Sequence, residues 1–197
     1  TAYEITYGDW SSDVCSSDLI ATMLENRVSG IVFLSYLDQA AEIGRRIDGQ
    51  VATMFIAATE PWSDSVAVDE RRGGELVARH LLDLGHRHLA FVGPTHPDAA
   101  DRERLEGFRR LVDDADATLR LITWDSPEGK VRLDGVSASW RSILSGPDRT
   151  TAIFASNDFT AIDTLDVADA LDVRVPEDLS IVGLDRKSTR LNSSHRT

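Results

Sequence analysis

Short, almost unbroken apolar runs punctuate the chain at 30–36 (GIVFLSY) and 51–57 (VATMFIA), with the polar stretch 38–49 between them. Runs of this length are the signature of strands buried on both faces of a parallel sheet. Within the polar stretch, Ala40, Ile43 and Ile47 recur at helical spacing, so strand, helix and strand follow one another. After the apolar trio 66–68, Asp69 is placed to cap a helix whose apolar face is Leu76, Val77, Leu81 and Leu84, with Gly85 at its C′ position. The rhythm then repeats. A strand at 88–93 precedes a helix over about 102–112 that buries Leu105, Phe108 and Leu111, and a strand at 119–124 precedes a helix ending near Leu144. A strand at 151–155, a helix marked by Phe159, Ile162, Leu165 and Ala168, and a strand at 179–183 close the series. Alternation of this kind predicts an α/β fold, with parallel sheets flanked by helices through right-handed crossovers. Seven strands are more than one small sheet of this length needs.

The two ends do not share the rhythm. Residues 9–19 (DWSSDVCSSDL) show neither helical nor strand periodicity, and this segment can be back-translated to a string almost the whole of whose reverse complement is contained in a back-translation of 185–195 (DRKSTRLNSSH). Complementary coding at opposite ends is what one short sequencing-library adapter, read in two directions, produces. Residues 1–19 and 186–197 are therefore expected to be non-native tails, and Asp185 sits on the junction.

Composition narrows the function. The chain has 21 Lys and Arg against 33 Asp and Glu, and residues 20–184 keep a net charge of −11 without a basic cluster, so these residues alone are poor ligands for nucleic acid. No run of 18 apolar residues is present, so no membrane partner is expected. The single Cys15 lies in the adapter-like tail and carries no information about disulfides.

In sheets of this type, chemistry collects at the carboxyl ends of strands. The polar residues there are Ser35, Arg104 beyond the loop after Gly93, the pair Asn157–Asp158, and Asp185. A guanidinium, an amide and carboxylates can orient a hydroxyl-rich small molecule, and Trp124 at a strand end could stack on a sugar face. Each has a plainer alternative: Asn157 could only cap a helix, and Arg104 could be a solvated residue paired with Glu103 or Glu106. Enzyme signatures are missing: there is no nucleophile elbow, no cysteine nucleophile outside the tail and no glycine-rich nucleotide loop. His86-Arg87-His88 has no third ligand at useful spacing, so neither a metal nor another cofactor is expected.

Four motifs carry a family resemblance. LGHRHLAFVG at 84–93, RERLEGF at 102–108, TAIFASND at 151–158 and VPEDLSIVGLD at 175–185 resemble, in order and spacing, segments of the lactose/galactose-repressor (LacI/GalR) family of bacterial transcription regulators. The resemblance implies a periplasmic-binding-protein-like effector domain of two α/β lobes, truncated at both ends. Residues 20–67 would be a remnant of the N-terminal lobe and 68–185 the C-terminal lobe, with the helix-turn-helix missing. It also implies effector contacts at Arg104, Asn157 and Asp185. The implied partners are a sugar or nucleoside-like effector, operator DNA through the missing module, and a second copy in a homodimeric parent; the implied setting is the cytoplasm. Asp163 and Asp172 stand where the family usually has glycine, at little expected cost if both are helical or exposed. A periplasmic sugar-binding protein of a transport system is the alternative of the same architecture.

Overall fold

The computed structural model describes residues 16–34, 40–56, 62–124 and 138–184. The chain divides into two compact units, with the boundary between Val68 and Asp69.

The first unit holds α1 (Ser16–Glu25), β1 (Gly30–Leu34), α2 (Ala40–Arg46), β2 (Ala52–Ile56) and β3 (Asp64–Val66). Its strands are parallel and lie in the order β1-β2-β3. Side chains alternate across a strand, so Ile31, Phe33 and Phe55 share one face, where they meet Ile43 and Ile47 of the α2 region and Ile20, Met23 and Leu24 of α1. The Phe33 and Phe55 rings stack with centroids 4.9 Å apart, and Trp62 meets Phe55 edge-on at 5.4 Å. The opposite face is also apolar, but Val32, Met54, Ile56 and Val66 on it are exposed. Two expectations are corrected here. Ser16 to Leu19 are helical rather than unpatterned, because a helix anchored by Met23 and Leu24 extends readily into its preceding turn. The seventh strand of the sequence count, which rested on the apolar trio 66–68, lies at 64–66 and is third in chain order.

The second unit alternates α3 (Glu70–Asp83), β4 (His88–Pro94), α4 (Ala99–Asp113), β5 (Thr118–Trp124), α5 (Ala138–Ile143), β6 (Ala152–Ala155), α6 (Asp158–Ala170) and β7 (Ser180–Gly183). All four strands are parallel, in the order β5-β4-β6-β7. Helices cover both sides of this sheet. On one side Leu89, Phe91, Ala152 and Phe154 pack against Val77, Ala78 and Leu81 of α3 and Phe108 and Val112 of α4. On the other, Ala90, Val92 and Ile153 pack against Trp140 of α5, Leu144, and Val167 and Ala168 of α6. Central strands buried on two faces explain why β4 and β6 read as continuous apolar runs.

Helix ends follow their local chemistry. Asp69 caps α3 by accepting from the Arg72 amide at 2.8 Å, and Asp98 caps α4 in the same way. At the other end of α3, the amide of Gly85 (φ +90°) donates to Leu82 O and that of His86 to Leu81 O, the paired bonds of a Schellman turn. The end of α6 makes the same turn, Asp172 N to Asp169 O and Val173 N to Ala168 O, with Asp172 at φ +57°. Asp163 is helical, but Asp172 occupies the left-handed position that glycine fills without strain, so being exposed does not make its cost small.

The buried faces of two helices differ from the periodicity. In α3, Leu76 is 51% exposed and the C-cap residue Leu84 is also exposed, whereas Gly74 and Ala78 are buried with Val77 and Leu81. In α6, Phe159 is 66% exposed and Leu165 is exposed, whereas Thr160, Ala161 and Thr164 face inward.

Candidate functional site

The strand order gives the site its position. From β4 the chain crosses to β5 on one side, then returns past β4 to β6 on the other. Connections leaving the carboxyl ends of β4 and β6 therefore diverge to opposite faces, α4 onto one and α6 onto the other. Between them lies the crevice where open parallel sheets bind ligands.

Two expected residues meet at this crevice. Arg104, on the second turn of α4, is 7% exposed, and its Nη1 donates to the carbonyl oxygen of Ser156 at 2.6 Å. Asn157 is the next residue and the N-cap of α6: its Oδ1 accepts from the Thr160 amide at 2.9 Å, while Nδ2 lies 3.5 Å from Ser156 Oγ. The capping reading of Asn157 is thus correct. The solvated-residue reading of Arg104 is not. The guanidinium is buried and pairs across to α3, with Nε 2.6 Å from Glu70 Oε2 and Nη2 2.9 Å from Glu70 Oε1. Glu106 instead takes a two-pronged contact from Arg71, both bonds at 2.7 Å.

Two further residues belong to the site and escape sequence reasoning. Glu70 is the first residue of α3, where an acid reads merely as a favourable partner for the helix dipole. Asp101, in the first turn of α4, is 8% exposed, and its carboxyl is near enough to the buried Ser156 hydroxyl to be influenced by it. Burial pushes its carboxyl above the ordinary aspartate value, and the charges of Asp98 and Glu70 act in the same direction; Arg104 and the Ser156 hydroxyl oppose them.

The fork between Arg104 and Glu70 depends on how closely α3 and α4 cross. A Cβ on Gly74 would lie 2.0 Å from the Arg104 carbonyl oxygen, and one on Gly107 would lie 2.0 Å from that of Arg71. Only two glycines permit this approach. Two further pairs flank the crossing, the exposed Arg110 and Arg72 each reaching the largely buried Glu75, at 2.6 and 3.0 Å.

The remaining expected residues fall elsewhere. Ser35 and Asp185 lie outside the described residues. Trp124 ends β5, its backbone opposite Pro94 of β4, so it belongs to the same strand-end row. His86 and His88 are each held by a threonine hydroxyl, Thr151 at 2.9 Å and Thr118 at 3.1 Å. Desolvation lowers the His86 pKa, and His80 adds to the shift. Among the described residues no group of three or more His, Cys, Asp or Glu side chains could hold a metal, and no helix is long and apolar enough to cross a membrane. A concavity of about 680 Å³ in the first unit lies at the amino ends of β2 and β3, between Gln50, Thr53, Trp62 and Ser63. It is open and lies at the opposite strand end from the one where such sheets bind ligands.

Residues 78–194 match the family described as the periplasmic binding protein-like domain. The HTH-type transcriptional repressor PurR of Vibrio vulnificus is 30% identical over 177 residues, 85% of this chain and 51% of the relative. A LacI-family transcriptional regulator from Rhizobium etli shares the fold with a TM-score of 0.69 at 27% identity, over 84% of this chain and 61% of that one. A LacI-family regulator from Enterococcus faecium, solved with bound ribose, gives 0.67 at 27% identity, over 87% and 63%. The chain spans about half the length of the curated relatives it matches.

Proposed function

Because the chain belongs to the family of periplasmic-binding-protein-like domains, we propose that it is the effector-sensing part of a bacterial transcriptional repressor and not an enzyme. The observation that carries this reading is the convergence of Arg104 and Asn157, 53 positions apart in sequence, on Ser156 at the divergence of β4 and β6. A buried guanidinium and a side-chain amide at such a crevice suit a small polar effector, a sugar or a nucleoside-like molecule. Similarity to a repressor at 30% identity supports a regulator over a transport-linked sugar-binding protein. In the parent, residues 20–67 would belong to one lobe and 68–185 to the other. Ser35, Trp124 and Asp185 would complete the effector contacts. A homodimer in the cytoplasm would bind operator DNA through its own DNA-binding module. The effector would favour one lobe arrangement over the other, since only a difference in affinity can shift such an equilibrium.

The test is calorimetric titration of the full-length regulator with ribose, hexoses and nucleosides, paired with an operator-release assay. Arg104→Ala and Asn157→Ala each strand part of a desolvated ligand and should lose roughly tenfold to a hundredfold in affinity. Operator binding without effector should survive. Asn157→Ser keeps a capping oxygen, so it should retain stability while losing affinity. Unchanged affinity in both alanine variants refutes the reading.

A further inference from the structure

We infer that Glu70 is a built-in occupant of the anion-binding fork of Arg104, and that it restricts the crevice to neutral, hydroxyl-rich ligands over those bearing a phosphate or carboxylate. The inference rests on the reading of Arg104 as an effector contact. A guanidinium presents parallel N–H donors that match a carboxylate or phosphate, which is how an arginine ordinarily selects an anion. Here Nε and Nη2 are both committed to the two oxygens of Glu70, at 2.6 and 2.9 Å, and Nη1 to a backbone carbonyl. Both side chains of the pair are largely buried. An anionic ligand would have to displace Glu70 and leave its carboxylate without its cation in a partly desolvated place, which is costly.

Glu70 is not positioned to yield. It follows the cap Asp69 directly, and its helix is locked to α4 by the Gly74 and Gly107 crossing, so a shift of α3 away from Arg104 runs against the core packing. The surrounding charge acts in the same direction. Asp101 and Asp98 lie close enough to influence one another, and carboxylates outnumber the single guanidinium. A sugar hydroxyl can donate to these carboxylates and accept from Asn157 Nδ2, whereas a phosphate meets repulsion from every acid in the group. Two other bridges already join α3 and α4 at the crossing, the exposed Arg71–Glu106 pair and the Arg110–Glu75 pair.

The test is titration of the 197-residue chain with inorganic phosphate, read by phosphorus-31 line broadening and calorimetry, in the wild type and in Glu70→Gln. The wild type should show no saturable binding. Glu70→Gln removes the charge while keeping an acceptor for Arg104, and should gain at least about tenfold in phosphate affinity. That gain should vanish in the double variant Glu70→Gln/Arg104→Ala. Circular dichroism verifies folding, and Glu70→Ala is the second variant if Glu70→Gln fails to fold. Saturable phosphate binding by the wild type that equals that of the variant overturns the inference, as does no gain in either variant or a gain that survives loss of Arg104. The effector reading fails separately: if Arg104→Ala leaves ribose affinity untouched in the full-length regulator, both fall. If it weakens ribose binding while phosphate affinity ignores Glu70, only the role of Glu70 falls.

Discussion

Replacing Gly107 by alanine should separate α3 from α4 and loosen the site from a distance. The added Cβ would stand 2.0 Å from the Arg71 carbonyl oxygen, about 1.4 Å short of the shortest ordinary contact, and the obstacle is backbone rather than a side-chain tip. Alanine improves helix propensity by about 1 kcal/mol. Against this, a gap of 0.5–1 Å already forfeits roughly a quarter to a half of each dispersion contact. Such contacts span Val77, Ala78, Leu81, Phe108 and Val112 at this interface. Overpacking in a core ordinarily costs about 1–3 kcal/mol, occasionally more, and a backbone obstacle belongs at the upper end. The net destabilisation expected for Gly107→Ala is therefore about 2 kcal/mol, and the same for Gly74→Ala. One outward displacement of the helices relieves both clashes, because Gly74 opposes the carbonyl of Arg104 and Gly107 that of Arg71, each three residues before the other glycine. The double variant should consequently cost distinctly less than the sum of the two. Urea melts followed by circular dichroism and by fluorescence of the buried Trp140 measure all three variants. Stability unchanged within about 0.5 kcal/mol, or strict additivity, would refute the shared-crossing account.

Two more outcomes follow from single side chains. Asp101 has a folded-state pKa raised by burial and by neighbouring acids, so protonation favours the fold: that contribution is complete below its unfolded value and is lost as pH rises through the raised one. Asp101→Asn should therefore be more stable than the wild type at neutral pH, with the difference shrinking toward ~pH 4; melts across that range that show the variant less stable at pH 7 would mean that the favourable influence of Arg104 and the Ser156 hydroxyl outweighs burial. Asp172→Gly should raise stability by about 0.5–1 kcal/mol, because it relieves the left-handed strain at φ +57°, and a lower melting midpoint would contradict this.

The alternation of strands and helices was legible because β4 and β6 are buried on two faces and so appear as apolar runs. Helix faces were less legible, for two distinct reasons. In α3 the tightest contact is made by Gly74, where a side chain is lacking, and hydrophobic periodicity does not register a missing group. In α6 the inward row includes Thr160 and Thr164; the Thr164 hydroxyl donates to its own helix, at Thr160 O, 2.6 Å away, so a residue that reads as polar packs as an apolar one. Arg104 and Asn157, which the fold brings together at Ser156, were singled out from their place after strands and through the motifs they resemble. Glu70 and Asp101 were missed because their pairing is tertiary. Residues 70 and 104 are 34 positions apart, and only the crossing of two helices makes them neighbours.

That crossing separates what can vary from what cannot. The carbonyl of Arg104 lies beneath Gly74 and its guanidinium lies on Glu70, so the residue is fixed by its backbone on one side and spoken to by a side chain on the other. Drift at Gly74 or Gly107 is penalised through the core, whereas a change at position 70 alters charge without touching the packing that sets the geometry. Exchange of Glu for Gln needs one nucleotide substitution. If the proposed effector contact at Arg104 holds, a lineage built on this scaffold has a route of one step between neutral and anionic ligands, with the frame around the site left unaltered.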